Sequence, residues 1–330
     1  MTKIERVRAV LTGRRPDRPP VSFWCHFAPE QAAGAAAVEA HLSHLEMFDL
    51  DFLKVMNDNR YPREPGPAVV RTVADLKRLS VLNGTESTFE AQLEVVRELA
   101  RQLRGKVLFC TTVFNAWTTL RDLVEPPRSQ HGPPKLDGCD ERDNLISRFL
   151  REDRGAVIAA LEAIAESLAR FSRECISAGA DGIFLSVRDD WVDRPENGVG
   201  TYDAFVRPTD LVILKAASSG TFNMLHVCGK AVDFDRFAGY PAHVLNWADR
   251  AAGPSLAYAC GRVKAAIAGG VDNLKELPTG TPEQVAAQVH DALEQAGERP
   301  ILVTPGCTYD PAAVSVENLR AMVEAARGNR

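Results

Sequence analysis

The chain has 330 residues, 45% of them hydrophobic and 25% charged, with a net charge of -5 and a pI near 5.9. That is a globular balance with length enough for one large core or two modest ones, and the mild acidity without a basic stripe argues against a nucleic-acid partner. No apolar run reaches the roughly 18 residues of a membrane helix, and the opening MTKIERVRAVLTGRRPDRPP has no apolar signal core, so a cytoplasmic protein is expected.

Ile4–Leu11 has a helical pattern, ended by Gly13 and the Pro-rich GRRPDRPP. Pro20–Phe27, PVSFWCHF, reads as a first strand. Gln31–Met47 is Ala-rich and helical, and Asp51–Asn57, DFLKVMN, is a second strand. Val73–Leu79 and Ser87–Leu103 are helices, the latter with Phe89, Leu93, Val96, Leu99 and Leu103 at near-helical spacing. Lys106–Val113 is a third strand and Asn115–Val124 a helix. Residues 125–144 are polar and rich in Pro and Gly, which suits a long loop or a lid. Leu145–Ala178 is helical with a possible break near Asp153, and Gly182–Val187 is a fourth strand. After the polar stretch Arg188–Asp203 comes the helix Tyr202–Ala217.

Phe222–Val227 is a fifth strand, ending in His226, Cys228 and Gly229. A short helix starts at Phe234, and His243–Trp247 is a sixth strand. Ser255–Val263 is helical and Ala265–Val271 a seventh strand. Thr281 as N-cap, Pro282 at the first helical position and Gly297 as stop define one helix. Pro300–Thr304 is an eighth strand, followed by Gly306-Cys307, and Val316–Ala326 closes the chain as a helix. Eight short apolar strands alternating with helices predict a parallel sheet buried on both faces. In about 300 residues they predict a (β/α)8 TIM barrel with an N-terminal helical extension, one domain over residues 1–330. A doubly wound open sheet is the structural alternative, with neither GxGxxG nor GxxxxGK[ST] present to give it a nucleotide.

Seven cysteines, an odd number, are spread over the chain. They do not form a disulfide framework and suit a reducing compartment. Cys175, Cys260, Cys25 and Cys110 read as core, and Cys139 as an incidental loop thiol. His226, Cys228 and Cys307 differ, because all three fall at strand ends beside glycines. In a barrel the C-terminal strand ends share one mouth. His226 and Cys228 are two apart and face one side of a strand. One imidazole and two thiolates suit Zn2+ with one position open. Asp249 is a candidate for a fourth oxygen ligand and Asp272 a weaker one. Such a sulfur-rich site favours keeping a bound thiol ionised over activating water, and so favours alkyl transfer to sulfur. His26, Asn57, Asp58, Arg188, Asp189 and Trp191 also sit at or just after strand ends and are candidates to line a substrate pocket. His41, His44, His131, His243 and His290 read as surface or structural.

The blocks TKIERVRAVLTGRRPDRPPVSFW, GADGIFLSV, LHVCG, VLNWADR, AIAGGVD, GTPEQV and LVTPGC, in this order, resemble the uroporphyrinogen decarboxylase superfamily over nearly the whole chain. The resemblance implies a (β/α)8 barrel. Metal-free decarboxylases of that superfamily carry an arginine-rich N-terminal motif that clamps substrate carboxylates; FWCHFAPEQAAG here has no arginine. The other branch resembles coenzyme M methyltransferases and, more distantly, the catalytic barrel of cobalamin-independent methionine synthase. There a His-x-Cys…Cys zinc site activates a thiol, and His226, Cys228 and Cys307 match it. The methionine synthase resemblance also puts Asp249 where an acidic ligand is expected. The resemblance therefore implies a zinc-dependent methyltransferase that moves a methyl group to a small-molecule thiol, from a corrinoid protein or a methylated pterin. No DxHxxG occurs, so a corrinoid would arrive on a partner protein. Self-association into a homo-oligomer is compatible with the resemblance. The competing expectation is a metal-free decarboxylase acting on a carboxylated substrate, with Arg188, Arg60 and Arg63 as the basic residues at hand.

Overall fold

The structure is a computed structural model that describes residues 1–124, 141–190 and 192–328. The expected long loop falls mostly outside the described residues, as do Cys139, His131 and Trp191. Residues 141–144 of that stretch are already the first turn of a helix, Glu141–Glu152.

Seven strands form one sheet: β1 (Phe52–Val55), β2 (Leu108–Phe114), β3 (Gly182–Arg188), β4 (Met224–Cys228), β5 (Val244–Trp247), β6 (Ala266–Val271) and β7 (Ile301–Pro305). They pair in parallel and in chain order. β1, β5, β6 and β7 are buried throughout, as short continuous apolar runs covered on both faces require.

The expected first strand, Pro20–Phe27, is not a ladder strand. It makes only isolated parallel bridges, Val21 with Val303 and Cys25 with Tyr309. The reason lies in where its donors go. Pro19 and Pro20 have no N–H to give. The N–H of Val21 goes to the Asp51 carboxylate at 2.9 Å, and the Ser22 hydroxyl goes to the Phe52 carbonyl at 2.7 Å. The segment still bridges the two sheet edges: Val303 N–H donates to Pro20 O at 2.9 Å, and Asp51 N–H donates to Val21 O at 2.9 Å. The result is a curled parallel sheet with surrounding helices, consistent with a TIM-like barrel.

Alternate residues of the strands point inward. Phe52, Leu108, Phe184, Met224, Val244, Ala266 and Leu302 form one buried cluster with Val7 and Val10. Those two valines belong to the helix Lys3–Leu11, whose Arg6 reaches the fully buried Asp51 at 2.7 Å. Two larger clusters fill the space between sheet and outer helices, around Trp117, Phe149 and Leu161 and around Val96, Leu99 and Met322. The long helical stretch breaks at Asp153, whose carboxylate accepts from Ala156 N–H at 3.0 Å and starts the helix Arg154–Ser177. Thr281 and Gln284 cap Pro282–Ala296 reciprocally.

Candidate metal centre

β4 delivers His226 and Cys228 to the C-terminal end of the sheet, and the turn after β7 delivers Cys307. Two glycines make the approach possible. A side chain at Gly306 would put its first carbon 2.5 Å from Ala248 Cα, so only glycine lets this turn close onto the end of β5. Gly229 has φ +133° and lies where an added carbon would meet Asp190 Oδ2 at 2.6 Å.

The Nε2 of His226 and the sulfurs of Cys228 and Cys307 all lie within 4.8 Å of one another. His226 Nε2 stands 3.4 Å from Cys307 Sγ. With zinc–sulfur bonds of about 2.3 Å and zinc–nitrogen bonds of about 2.1 Å, tetrahedral ligands stand roughly 3.6–3.8 Å apart, so this spacing fits. A cavity of about 20 Å³ adjoins them, walled also by Lys230, Ala251, Asn273 and Leu274. That is room for one water-sized occupant.

The imidazole is fixed from behind. His226 Nδ1 lies 2.6 Å from Asn246 Oδ1 on the neighbouring strand. The Asn246 amide nitrogen donates to Ala268 O at 3.0 Å, with Thr304 Oγ1 at 3.2 Å and Pro305 O at 3.3 Å. Those acceptors orient the amide so that its oxygen faces the histidine. The oxygen can only accept, so Nδ1 carries the proton and Nε2 keeps its lone pair for the thiols' side. A histidine that donates its second nitrogen to an orienting carbonyl is the usual support of a metal ligand. Phe184 stacks on the ring at 5.2 Å. The hydrogen bond from Cys228 draws the Cys307 thiol well below its ordinary range, while donating and burial push Cys228 up. The pair thus favours one thiolate at Cys307.

The carboxylate candidates stand apart from this group. Among the described residues, no carboxylate oxygen lies within 4.8 Å of all three ligand atoms. Asp249 Oδ1 accepts from Gly270 N–H at 3.0 Å and its Oδ2 stands 3.6 Å from Arg250. Burial pushes this carboxyl up to about 6. Asp272 accepts from the N–H groups of Leu274 and Lys275. Arg188 faces Cys228 in the strand register but its guanidinium grips Asp190, at 2.5 and 3.1 Å. His26 is part-exposed, with Nδ1 2.8 Å from Asp58 Oδ1. Arg63 donates to the carbonyls of Ala68 and Asp122. Asn57 donates to Thr112 O, and Asp189 accepts from the Asp233 N–H and from Arg236. Trp247 is packing, its indole N–H on Pro254 O. His41 and His44 are buried and bond backbone groups of Ala37, Met56 and Phe23, as structural histidines do. Cys25, Cys110 and Cys175 are buried, whereas Cys260 is partly exposed.

Sequence reading missed Asn246 as the histidine's support and Lys54 on the inner face of the curled sheet. Each was signalled by a polar residue in the middle of an otherwise apolar strand, VLNW and FLKV.

A model of the uroporphyrinogen decarboxylase family (URO-D) matches residues 54–328. The chain belongs to that family. No curated protein matches it. Among solved structures it resembles a methyltransferase from Methanosarcina mazei, at 17% identity and TM-score 0.72, with 99% of each chain covered. It also resembles a B12-independent methionine synthase from Shewanella sp. W3-18-1, at 13% identity and TM-score 0.52, covering 94% of this chain and 96% of that one. At such identities these likenesses establish the fold. No helix among the described residues is long and apolar enough to cross a membrane.

Proposed function

We propose that this member of the uroporphyrinogen decarboxylase family is a zinc-dependent methyltransferase that methylates a small-molecule thiol. The observation that carries the reading is the convergence of His226 Nε2, Cys228 Sγ and Cys307 Sγ on one point, with the histidine tautomer held by Asn246. The two solved neighbours, one described as a methyltransferase and one as a methionine synthase, support it.

Zinc, when bound, would hold the acceptor's sulfur as a thiolate near neutral pH. The protein groups do the rest. Asn246 keeps the proton on His226 Nδ1 so that Nε2 would offer its lone pair to the metal. Cys228 and Cys307, both ionised when the metal is held, would supply charge that discourages hydrolysis and keeps a bound sulfur nucleophilic. Apolar walls at Ala248, Ala251 and Leu274 limit water beside the thiols. In the transfer, a sulfur lone pair forms the new S–CH3 bond, and the electron pair of the breaking bond leaves with the donor. The methyl donor fits a methylated corrinoid protein or a methylated pterin. Asp249, His26 and Arg188 remain candidates for contacts made once substrates are present.

Elemental analysis of protein purified without added metal should find about one zinc per chain. Methyl transfer from a methylated corrinoid protein to a thiol should then require Cys307. Transfer unaffected by Cys307→Ala would exclude the reading. A wild type with no zinc and no uptake on reconstitution would instead favour metal-free decarboxylation of a carboxylated substrate.

A further inference from the structure

Lys54 lies in the middle of β1 and is only 4% exposed. Its strand neighbours on the same face, Phe52 and Met56, belong to the inner core with Trp24, Cys110 and Phe184. A lysine there loses its hydration and gains little in return. Its ammonium donates to the thioether of Met56 at 2.8 Å, a weak acceptor. It also faces the rings of Phe184, at 4.7 Å, and Trp24, at 6.0 Å. Met56 is one pleat nearer the C-terminal end of the strand, so the ammonium is drawn toward the mouth. Among the described residues no carboxylate forms an ion pair with it. Burial accordingly pulls its pKa down to about 8, opposed first by Cys307, then by Asp58, Cys110 and Cys25.

The ring that carries this cation is the ring that stacks on His226, with centroids 5.2 Å apart and planes tilted by 25°. Ammonium and imidazole thus both pack on the Phe184 ring, which links the inside of the sheet to the candidate metal-ligating group. The charge of the site explains why a cation belongs there. A divalent ion with two protein thiolates is neutral overall. An acceptor thiolate added to it leaves one net negative charge in a site walled by Ala248, Ala251 and Leu274 as well as by Asn273 and Lys230, with Arg188 near Cys228 paired to Asp190, and there a buried opposite charge is screened less than in water.

We propose that Lys54 is the counter-cation that balances the acceptor thiolate, a positioning residue that acts through the field across Phe184 without touching the substrate. The inference rests on the thiol reading of the site. It adds a specificity: the pocket favours acceptors that bind as thiolates over neutral thioethers or alcohols, because only the former complete the charge pair.

The test uses cobalt(II)-substituted protein, whose absorption changes with each added thiolate, and 2-mercaptoethanol as the probe. Lys54→Met removes the charge while keeping an unbranched chain, and should melt at or above the wild-type temperature because an apolar group suits the core. It should bind one metal per chain as the wild type does. Its affinity for 2-mercaptoethanol at pH 7 should fall about tenfold, and the midpoint of thiol binding should move up by about one pH unit, since one pKa unit is a factor of ten. Lys54→Arg, which keeps the charge, should recover most of the loss. Lys54→Gln carries the same test if the methionine variant does not fold. Unchanged thiol affinity and pH profile in the folded neutral variant would overturn the role of Lys54 while leaving the metal site standing. A wild type that takes up metal but whose spectrum ignores the thiol would overturn the underlying thiol reading instead.

Discussion

Two buried polar clusters in this molecule look alike in composition and differ in what they leave unspent. One is built on Asp210, fully buried in the helix Arg207–Ala216. Its Oδ1 accepts from Asn115 at 3.0 Å, and its Oδ2 accepts from Tyr202 at 2.6 Å and Tyr240 at 3.0 Å. Donors and acceptors match, and the cluster ties β2's exit to two later segments. The other is His226, Cys228 and Cys307. Here His226 bonds outward to Asn246 and Cys307 to the Thr308 hydroxyl at 3.6 Å, while the second histidine nitrogen and both sulfurs face each other. A satisfied network rigidifies the fold; a histidine nitrogen and two sulfurs converging beside a small cavity have the donor set that could hold a metal ion. Burial alone would not have separated the two.

The comparison breaks most sharply at the thiols. Cys228→Ser and Cys307→Ser should each abolish stoichiometric zinc, measured by elemental analysis, because a three-ligand site cannot spare a soft ligand. The metal-free variants should melt within a few degrees of metal-free wild type. A large loss of apo stability in both would mean that the thiols serve packing, as the Asp210 network does. Asp210→Ala should show the opposite pattern. Two buried tyrosine hydroxyls and an amide would lose their acceptor, costing about 3 kcal/mol in denaturant unfolding, with zinc content unchanged.

How far the sequence reached follows the same division. Seven of the eight expected strands are ladder strands, because continuous apolar runs between helices leave few alternatives. The first, Pro20–Phe27, failed as a ladder for a reason no periodicity reveals: the Val21 N–H is taken by a carboxylate 30 positions away. His226, Cys228 and Cys307 could be singled out because residue type and strand-end position suffice to mark candidates, and the structure brings their ligand atoms within 4.8 Å of one another. Asn246 was not, since its role depends on lying opposite His226 in the register of β4 with β5. Asp249 illustrates the limit from the other side. Its place at a strand end suggested a ligand, yet its Oδ1 is turned to Gly270. Chain position fixes which strand end a residue occupies, and neighbouring backbone donors decide where its side chain points.

Asn246 therefore sharpens the comparison at the next level of effect. Asn246→Ala should weaken zinc binding about 10–100-fold in chelator competition, the usual cost of losing a histidine's outer partner. Asn246→Asp should retain most of the affinity, because its carboxylate can still accept from Nδ1. Equal affinity in wild type and Asn246→Ala would mean that the tautomer is set without this bond.

The smallest expected effect is a pH dependence, and it belongs to the satisfied network. Burial pushes Asp210 up to about 7, against about 3.9 for an unfolded aspartate. The folded state thus binds a proton that the unfolded chain has already released. The stability from this group is fully present below about pH 4 and is lost as pH rises through about 7. Asp189 and Asp249, each pushed by burial up to about 6, act in the same direction over a narrower window. In a Cys307→Ser background, where metal linkage is removed, these carboxyls should pull the melting temperature down from pH 5 to pH 7.5, against the opposite pull of His41 and His44, which burial holds neutral. Asp210→Asn, which cannot ionise, should shrink that fall by at least about 2 °C. An equal fall with and without Asp210 would assign the dependence to the other two carboxylates, and would mean that the network's hydrogen bonds hold the Asp210 carboxylate ionised in spite of its burial.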